Sequence, residues 1–357
     1  MEKNWGKTLI VSGMIKKGDR FPSEHLLEKK FGYSRQTIRM ALGMLEMEGL
    51  IEKRRGSGTY VLYQMENKEA KTVGLILSYF ADYLFPQIYD GIASVMKEQE
   101  IGIDLAVTKN DLNKEALYLE EFLHAGVSGL IVEGTKSTFP NPNVRLYRKF
   151  LERNIPVIFI HNHYENMPFH SIEMSDAKCS HALTKQLLLA GHRQICGIFK
   201  YDDVQGIERY RGFMECMTEH GLSIDDDMIR WYSTKDASFK LSKTALSGFL
   251  KKTRGCTAMM VYNDELAYQI RELAWSRGIG IPEKLSMVSF DDATLFEESA
   301  PILSAVHPKL MLGRLAAKNL IKMMGDENWQ NHSYSHRFPV RLNAGASIRD
   351  IREKWHV

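Results

Sequence analysis

From Thr72 onward, short runs of consecutive apolar residues alternate with longer stretches in which apolar positions recur every three or four residues. A continuous run suits a strand covered on both faces, and the helical repeat supplies a stripe to cover it. The runs predict strands at Thr72–Ser78, Ile103–Val107, Gly129–Glu133, Pro156–His161, Ile195–Phe199, Thr257–Tyr262 and Leu285–Phe290. The periodic stretches predict helices at 88–100, 112–125, 144–153, 177–190, 206–220, 238–252 and 265–277. This alternation describes an α/β protein with parallel sheets, long enough for two doubly wound lobes. Ligands in such sheets bind beyond the C-terminal ends of the strands, so function is expected in the residues that follow each run.

The pattern before Thr72 is different. Ser23 is placed to cap a helix whose apolar side is Leu26, Leu27 and Phe31, and Gly32 breaks it. Ser34 caps a second helix, with Ile38, Leu42 and Leu45 at helical spacing, and Glu48-Gly49 closes it. Ile51 to Tyr63 then runs out and back around Lys53-Arg54-Arg55-Gly56-Ser57-Gly58. Two short helices and a basic hairpin are the layout of a winged helix-turn-helix. The inward positions of the second helix leave Arg35, Gln36, Thr37 and Arg39 free at its start. Arg pairs twice with guanine, Gln twice with adenine, and Thr touches a thymine methyl. Glycines at the wing tip allow close approach to a phosphate backbone.

Charge sharpens the division. The chain has 47 Lys+Arg against 44 Asp+Glu, a net of +3. Residues 1–71 hold 14 and 9 of these, leaving 33 and 35 for the rest. A basic head on a slightly acidic body suits electrostatic binding to double-stranded DNA. Polar Gln64 to Lys71 separates the two patterns, giving a head at 1–63, a linker at 64–71 and a body at 72–357. No apolar run approaches the roughly 20 residues that span a bilayer, and none resembles an export signal. Cys179, Cys196, Cys216 and Cys256 have no metal-binding or disulfide spacing. A cytoplasmic chain without metal or cofactor, and without a membrane partner, is expected.

The expected strand ends carry sugar-binding chemistry: Tyr79, Tyr83 and Phe85, then Glu133 and Lys136, then His161-Asn162-His163. Lys200, Asp202 and Asp203 follow a later strand, as do Asn263-Asp264 and Asp291-Asp292, and Arg209 lies early in a helix. Sugar hydroxyls donate and accept, and C–H faces pack on rings, so carboxylates, amides and Arg beside Tyr and Phe suit them. Plainer readings stand beside this one. Asp264 and Asp292 are also placed to cap helices, Tyr79 to pack, Glu133 and Lys136 to pair with each other. The two histidines lack a third metal ligand.

Four pieces of the head, Pro22-Ser23-Glu24, Ser34 to Arg39, Glu48-Gly49-Leu50 and Gly56 to Thr59, resemble the GntR type of bacterial regulator. The resemblance implies DNA contacts from Arg35, Thr37, Arg39, Arg55 and Gly56. His25 stands where that family often has a DNA-contacting Arg. The family's first helix usually begins a turn or more before Trp5, so it is expected to be clipped here. The body resembles LacI/GalR-type effector domains through Ala190-Gly191-His192-Arg193, Arg209 to Phe213, Tyr262-Asn263-Asp264 and Val288 to Asp291. That resemblance implies a two-lobed, periplasmic-binding-protein-like fold and effector contacts from Arg209, Asn263 and Asp291. The combination resembles the arabinose-responsive repressors of Gram-positive bacteria, through Ser78 to Ile92, Gly129 to Ser137 and Phe199 to Phe213. It implies contacts to L-arabinose from Tyr79, Tyr83, Phe85, Glu133 and Lys136, and a homodimer on operator DNA.

An enzyme is the competing class. The chain has no G-x-S-x-G elbow, P-loop or G-x-G-x-x-G fingerprint, and it is too short for the aminotransferase-like bodies that some GntR-type heads carry.

Overall fold

The computed structural model describes residues 2–11, 14–54, 56–62, 71–80, 83–164, 167–293 and 301–352. The chain forms two compact units, residues 1–70 and 71–357. In the first, helices α1 (Glu2–Val11), α2 (Glu24–Phe31) and α3 (Arg35–Met47) precede strands β1 (Ile51–Arg54) and β2 (Gly58–Val61). Ser23 and Ser34 cap α2 and α3 through their hydroxyls, and Gly32 ends α2 in the left-handed region at φ 71°. Ile38, Leu42 and Leu45 pack with Ile10, Phe21, Leu27 and Val61. Leu26 departs from expectation, being 58% exposed. Leu27 and Phe31, one helical turn apart, turn the inner stripe, and Leu26 lies about 100° away from Leu27. The antiparallel wing pairs Ile51 with Val61 and Arg54 with Gly58. Its second strand is also held from outside, with Phe21 N–H donating to Thr59 O at 2.8 Å and Val61 N–H to Asp19 O at 3.0 Å.

The second unit has two parallel sheets. The elements in order are β3 (Thr72–Leu77), α4 (Phe85–Glu98), β4 (Gly102–Val107), α5 (Leu112–Ala125), β5 (Gly129–Glu133), α6 (Val144–Glu152), β6 (Val157–Ile160) and β7 (His170–Met174). They continue with α7 (Asp176–Leu189), β8 (Ile195–Lys200), α8 (Val204–Glu219), β9 (Ile229–Tyr232), α9 (Ala237–Lys240), α10 (Lys243–Lys252), β10 (Ala258–Val261) and α11 (Asp264–Trp275). The last are β11 (Ser286–Asp291), β12 (Leu303–Val306), α12 (Lys309–Met324) and β13 (His336–Phe338). One lobe has strand order β13-β7-β6-β5-β3-β4, the other β12-β11-β10-β8-β9.

All seven expected strands are present. β7, β9, β12 and β13 are additional, and each lies at or next to a sheet edge. There polar residues interrupt the apolar run that marks a central strand: His170, Arg230 and Arg337 keep some exposure, while Ser304 is buried and donates to Asp264. The helix expected at 238–252 is split, because Ser242 accepts from Ala245 N–H and starts α10 afresh. Helix α12 is also additional. It lies close against α4: a Cβ on Gly313 would sit 2.1 Å from Ile88 O, and one on Gly91 2.3 Å from Leu310 O. The chain passes between the lobes near Ser175, near Pro308 and between Phe338 and Leu342, and Ser175 Oγ donates to Phe338 O at 2.8 Å.

Backbone cannot yield as a flexible side chain can, so Gly313→Ala should overpack the α4–α12 seam and destabilise the second unit by about 1–3 kcal/mol. Denaturant unfolding followed at the body's tryptophans measures this. An unchanged midpoint would mean that the helices separate freely.

Candidate functional site

The head's outer face is built by its caps. Ser34 Oγ accepts from Thr37 N–H at 3.2 Å and lies 2.9 Å from Thr37 Oγ1, which fixes the start of α3. His25, Ser34, Arg35, Gln36, Thr37 and Arg39 are all exposed. Both arginines converge on one carboxylate: Glu24 Oε2 is 3.3 Å from Arg35 Nε, and Oε1 is 3.2 Å from Arg39 Nε. Exposed pairs of this kind add little stability. They place two guanidinium groups side by side at one carboxylate. The motif placed Glu24 in the sequence, but nothing in periodicity assigned it this role. Gly56 occupies the wing turn at φ 76°, with open space around its Cα. Arg55 lies outside the described residues.

In the second unit, the strand ends of both lobes face a cleft of about 730 Å³. Several of these ends leave their strands through left-handed non-glycine residues: Lys109, Asn110, Lys136, His161, Asp291 and Asp292. Such conformations cost about 1–3 kcal/mol each and cluster where geometry is held for a purpose. Tyr79, Tyr83, Phe85, Glu133, Asn162, Arg209, Asn263 and Asp291 line the cleft. Lys136 and Asp202 do not. Lys136 is turned by its backbone, whose N–H donates to Asn110 Oδ1 at 2.6 Å. Asp202 is buried, accepting from Asn110 Nδ2 at 3.2 Å and Thr234 N–H at 2.9 Å.

Arg209 is the centre of the hinge end. The N-terminal turn of α8 sits hard against β8, where a Cβ on Gly206 would be 1.9 Å from Lys200 O, and this brings Arg209 into the cleft. Its Nε donates to Asp176 Oδ1 at 2.8 Å, Nη1 to Tyr262 O at 2.6 Å, and Nη2 lies 3.4 Å from Asp291 Oδ1. The guanidinium also stacks 4.3 Å from the Phe290 ring. Burial works against its charge, but Asp176 and Asp291 together hold it protonated, above its ordinary range. Burial raises Asp176, with Arg209 pulling it the other way. Tyr83 reaches from the other lobe and donates to Asp291 Oδ2 at 2.5 Å.

Glu133 takes Ser78 N–H at 2.7 Å and lies 3.5 Å from His161 Nδ1, so its partners are not Lys136. The rings of His161 and His307 meet edge-on at 4.8 Å. His161 Nε2 and His307 Nδ1 are buried with no partner among the described residues. Burial first, then the proximity of His161, Lys309 and Arg209, pushes His307 well below its ordinary value. His163 turns elsewhere, 2.5 Å from Glu173, and among the described residues no group of three His, Cys, Asp or Glu could hold a metal.

Asn263, not Asp264, caps α11, accepting from Leu266 N–H at 3.1 Å. Asp264 instead accepts from Ala293 N–H at 2.7 Å and Ser304 Oγ at 2.9 Å, and Asp292 accepts from Asn343 Nδ2 at 2.8 Å. Asp176, Thr234 and His307 were not expected in the lining. They follow β7, β9 and β12, the strands without an apolar run.

Residues 7–61 match the model for bacterial regulatory proteins of the gntR family, and residues 184–348 that for a periplasmic binding protein-like domain. The molecule is therefore a transcription regulator with a DNA-binding head and a sugar-binding type of effector domain. It is 37% identical over 320 residues to an arabinose metabolism transcriptional repressor of Geobacillus stearothermophilus, with 88% of each chain covered. It is 33% identical over 328 residues to the corresponding repressor of Halalkalibacterium halodurans, covering 90% of this chain and 88% of that one. The chain belongs to the family of arabinose metabolism transcriptional repressors, which are regulators and not enzymes. Among solved structures, the regulator CcpA of Lactococcus lactis superposes with a TM-score of 0.67 at 22% identity, over 78% of this chain and 100% of that one. A LacI family regulator of Enterococcus faecium with bound ribose gives 0.66 at 19% identity, over 79% and 100%. At such identities the likeness concerns the fold. No helix among the described residues is long and apolar enough to cross a membrane.

Glu24→Gln should cost about 0.5–1.5 kcal/mol of operator affinity, the ordering of a rotamer-rich arginine that the pairing supplies in advance. Gel-shift titration on the operator duplex measures it, and an unchanged affinity would make the Glu24 pairs incidental. Burial pushes the Asp264 carboxyl up to about 7 from 3.8. A raised folded value means that protonation favours the fold, so this contribution is whole below about pH 4 and lost as pH rises through about 7. Asp264→Asn should flatten that slope: between those pH values the wild type loses stability relative to the variant in denaturant unfolding.

Proposed function

We propose that the chain represses arabinose-utilisation genes as a cytoplasmic homodimer, and that L-arabinose bound in the cleft releases it from operator DNA. Paired heads would read a roughly twofold site on adjacent turns of the duplex through Arg35, Gln36, Thr37 and Arg39 on α3. Gly56 and the wing would follow the phosphates, with Ser34 and His25 at the edge of the contact.

The observation that carries the reading is the hinge network, in which Arg209 bridges Asp176 and Asp291 while Tyr83 closes onto Asp291 from the opposite lobe. A small polyhydroxylated ligand fits such a network because each hydroxyl can accept from Arg209 or Asn162 and donate to Glu133 or Asp291. Tyr79, Phe85 and Asn263 complete the set. Groups drawn from both lobes bind the ligand only at one lobe separation. That supplies the differential affinity a population shift requires.

Genomic fragments retained on the purified protein should be released by L-arabinose, but not by xylose or galactose, and should flank pentose-utilisation genes. Retention without release by arabinose would discard it as the effector. Arg209→Ala should keep operator binding and lose the sugar response. Since the variant leaves two buried carboxylates facing each other, it should also lose about 3–5 kcal/mol of stability. By reciprocity, saturating operator should weaken sugar binding by the factor that sugar weakens operator binding, and calorimetry with and without duplex tests this.

A further inference from the structure

We infer that Met40 packs against a thymine methyl group in the operator's major groove, and that Gly43, a turn further along α3, lets the duplex come close beside it. The inference rests on reading α3 as the helix that enters the groove, and it adds an apolar base contact to the polar ones proposed above.

The buried stripe sets the direction of every other side chain on this helix. Ile38, Leu42 and Leu45 are each 2% exposed. At about 100° per residue, Met40 points about 165° away from the mean direction of those three, and Gln36 about 155°. Arg39 and Thr37 stand only about 90–105° away, and Arg35 about 55°. The arginines thus occupy one flank, where both meet Glu24 at the start of α2. The outermost line of the helix belongs to Gln36 and Met40, and Met40 is 62% exposed. In a helix laid into the major groove, that line lies nearest the base edges.

Chemistry narrows what Met40 meets there. Its thioether has no N–H or O–H to donate and accepts only weakly, so it does not pair with base edges as Arg, Gln or Glu do. The apolar group that the major groove offers is the C5-methyl of thymine. An unbranched, polarisable side chain can settle on that methyl through several rotamers. Single exposed apolar residues are ordinary on protein surfaces; Met40 differs in standing at the centre of a DNA-reading face.

Gly43 is an independent observation. It lies inside α3, where glycine is the least favourable residue after proline. A Cβ there would meet nothing within 4 Å among the described residues, so packing inside the head does not require glycine. That Cβ would point about 135° from the buried stripe, on the side of Met40. A helix glycine without an internal reason leaves room for an outside surface to approach the backbone, and along this face that surface is the duplex.

The probe is the duplex that the full chain protects on a retained genomic fragment, with each thymine replaced in turn by deoxyuridine, which removes only the methyl. In gel-shift titration, replacement of at least one thymine should weaken wild-type binding about fourfold, the value of one buried methyl group. Met40→Ala should bind the unmodified duplex more weakly and lose its sensitivity to that replacement, while Met47→Gln, at the far end of α3, should retain it. Gly43→Ala should slow amide exchange in α3 of the free chain, as helix propensity dictates. It should nevertheless weaken duplex binding about fivefold or more, as an added methyl group does in a close-packed contact. Unchanged or tighter binding by Gly43→Ala would overturn the close approach. A wild type insensitive to every replacement, or equal sensitivity in Met40→Ala, would overturn the methyl contact while duplex binding itself stands. Weaker self-association of Met40→Ala in sedimentation, with its uracil sensitivity unchanged, would assign the face to a second copy. A chain that protects no duplex would overturn the groove reading of α3 as well.

Discussion

The buried guanidinium of Arg209 is the constraint around which the effector unit is arranged. A charge removed from water in this way is costly unless every direction of its fork meets a partner. Here Asp176 at a lobe crossing, the Tyr262 carbonyl beyond β10 and Asp291 at the end of β11 supply three such partners. The three partners come from parts of the chain far apart in sequence, so the arginine fixes their mutual positions. Asp291 is in turn the residue onto which Tyr83 closes from the other lobe. One ion-pair cluster therefore sets both the internal order of one lobe and its registry with the other.

This arrangement is suited to a ligand-controlled device. The cluster lies next to crossings near Ser175 and Pro308, and Lys309 Nζ donates to the carbonyl oxygens of Asp291 and Asp292. A ligand that enters the cluster changes interactions at the points about which the lobes would move. The left-handed strand ends add a rigid, costly backbone around the same space. Packing elsewhere favours small shifts of whole lobes over local deformation, because α4 and α12 meet backbone to backbone at Gly91 and Gly313.

The head follows a different physical rule. Its apolar core is small, centred on Ile38, Leu42 and Leu45, and its functional face is almost wholly exposed. Order on that face comes from local hydrogen bonds: the Ser34 cap, its contact to Thr37 and the shared Glu24 carboxylate. Side chains that must meet a charged duplex gain from being aimed in advance, since less rotamer freedom is lost on contact.

Sequence by itself determined the head and the central strands. Caps, turn glycines and helical spacing are local signals, and Ser23, Ser34, Gly32 and Ile38 act where those signals placed them. β3, β5, β8, β10 and β11 were legible because a strand covered on both faces must be apolar throughout. The edge strands β9, β12 and β13 carry polar residues that blur that signature, and so does β7 beside them. Asp176, Thr234 and His307, which follow β7, β9 and β12, were hidden with them. Only the tertiary structure decided which strand-end residues share the cleft. It withdrew Lys136 through its backbone and Asp202 through Asn110, made Asn263 the cap, and turned Asp264 toward Ala293 and Ser304. Those outcomes depend on partners distant in the chain, and periodicity carries information only about neighbours.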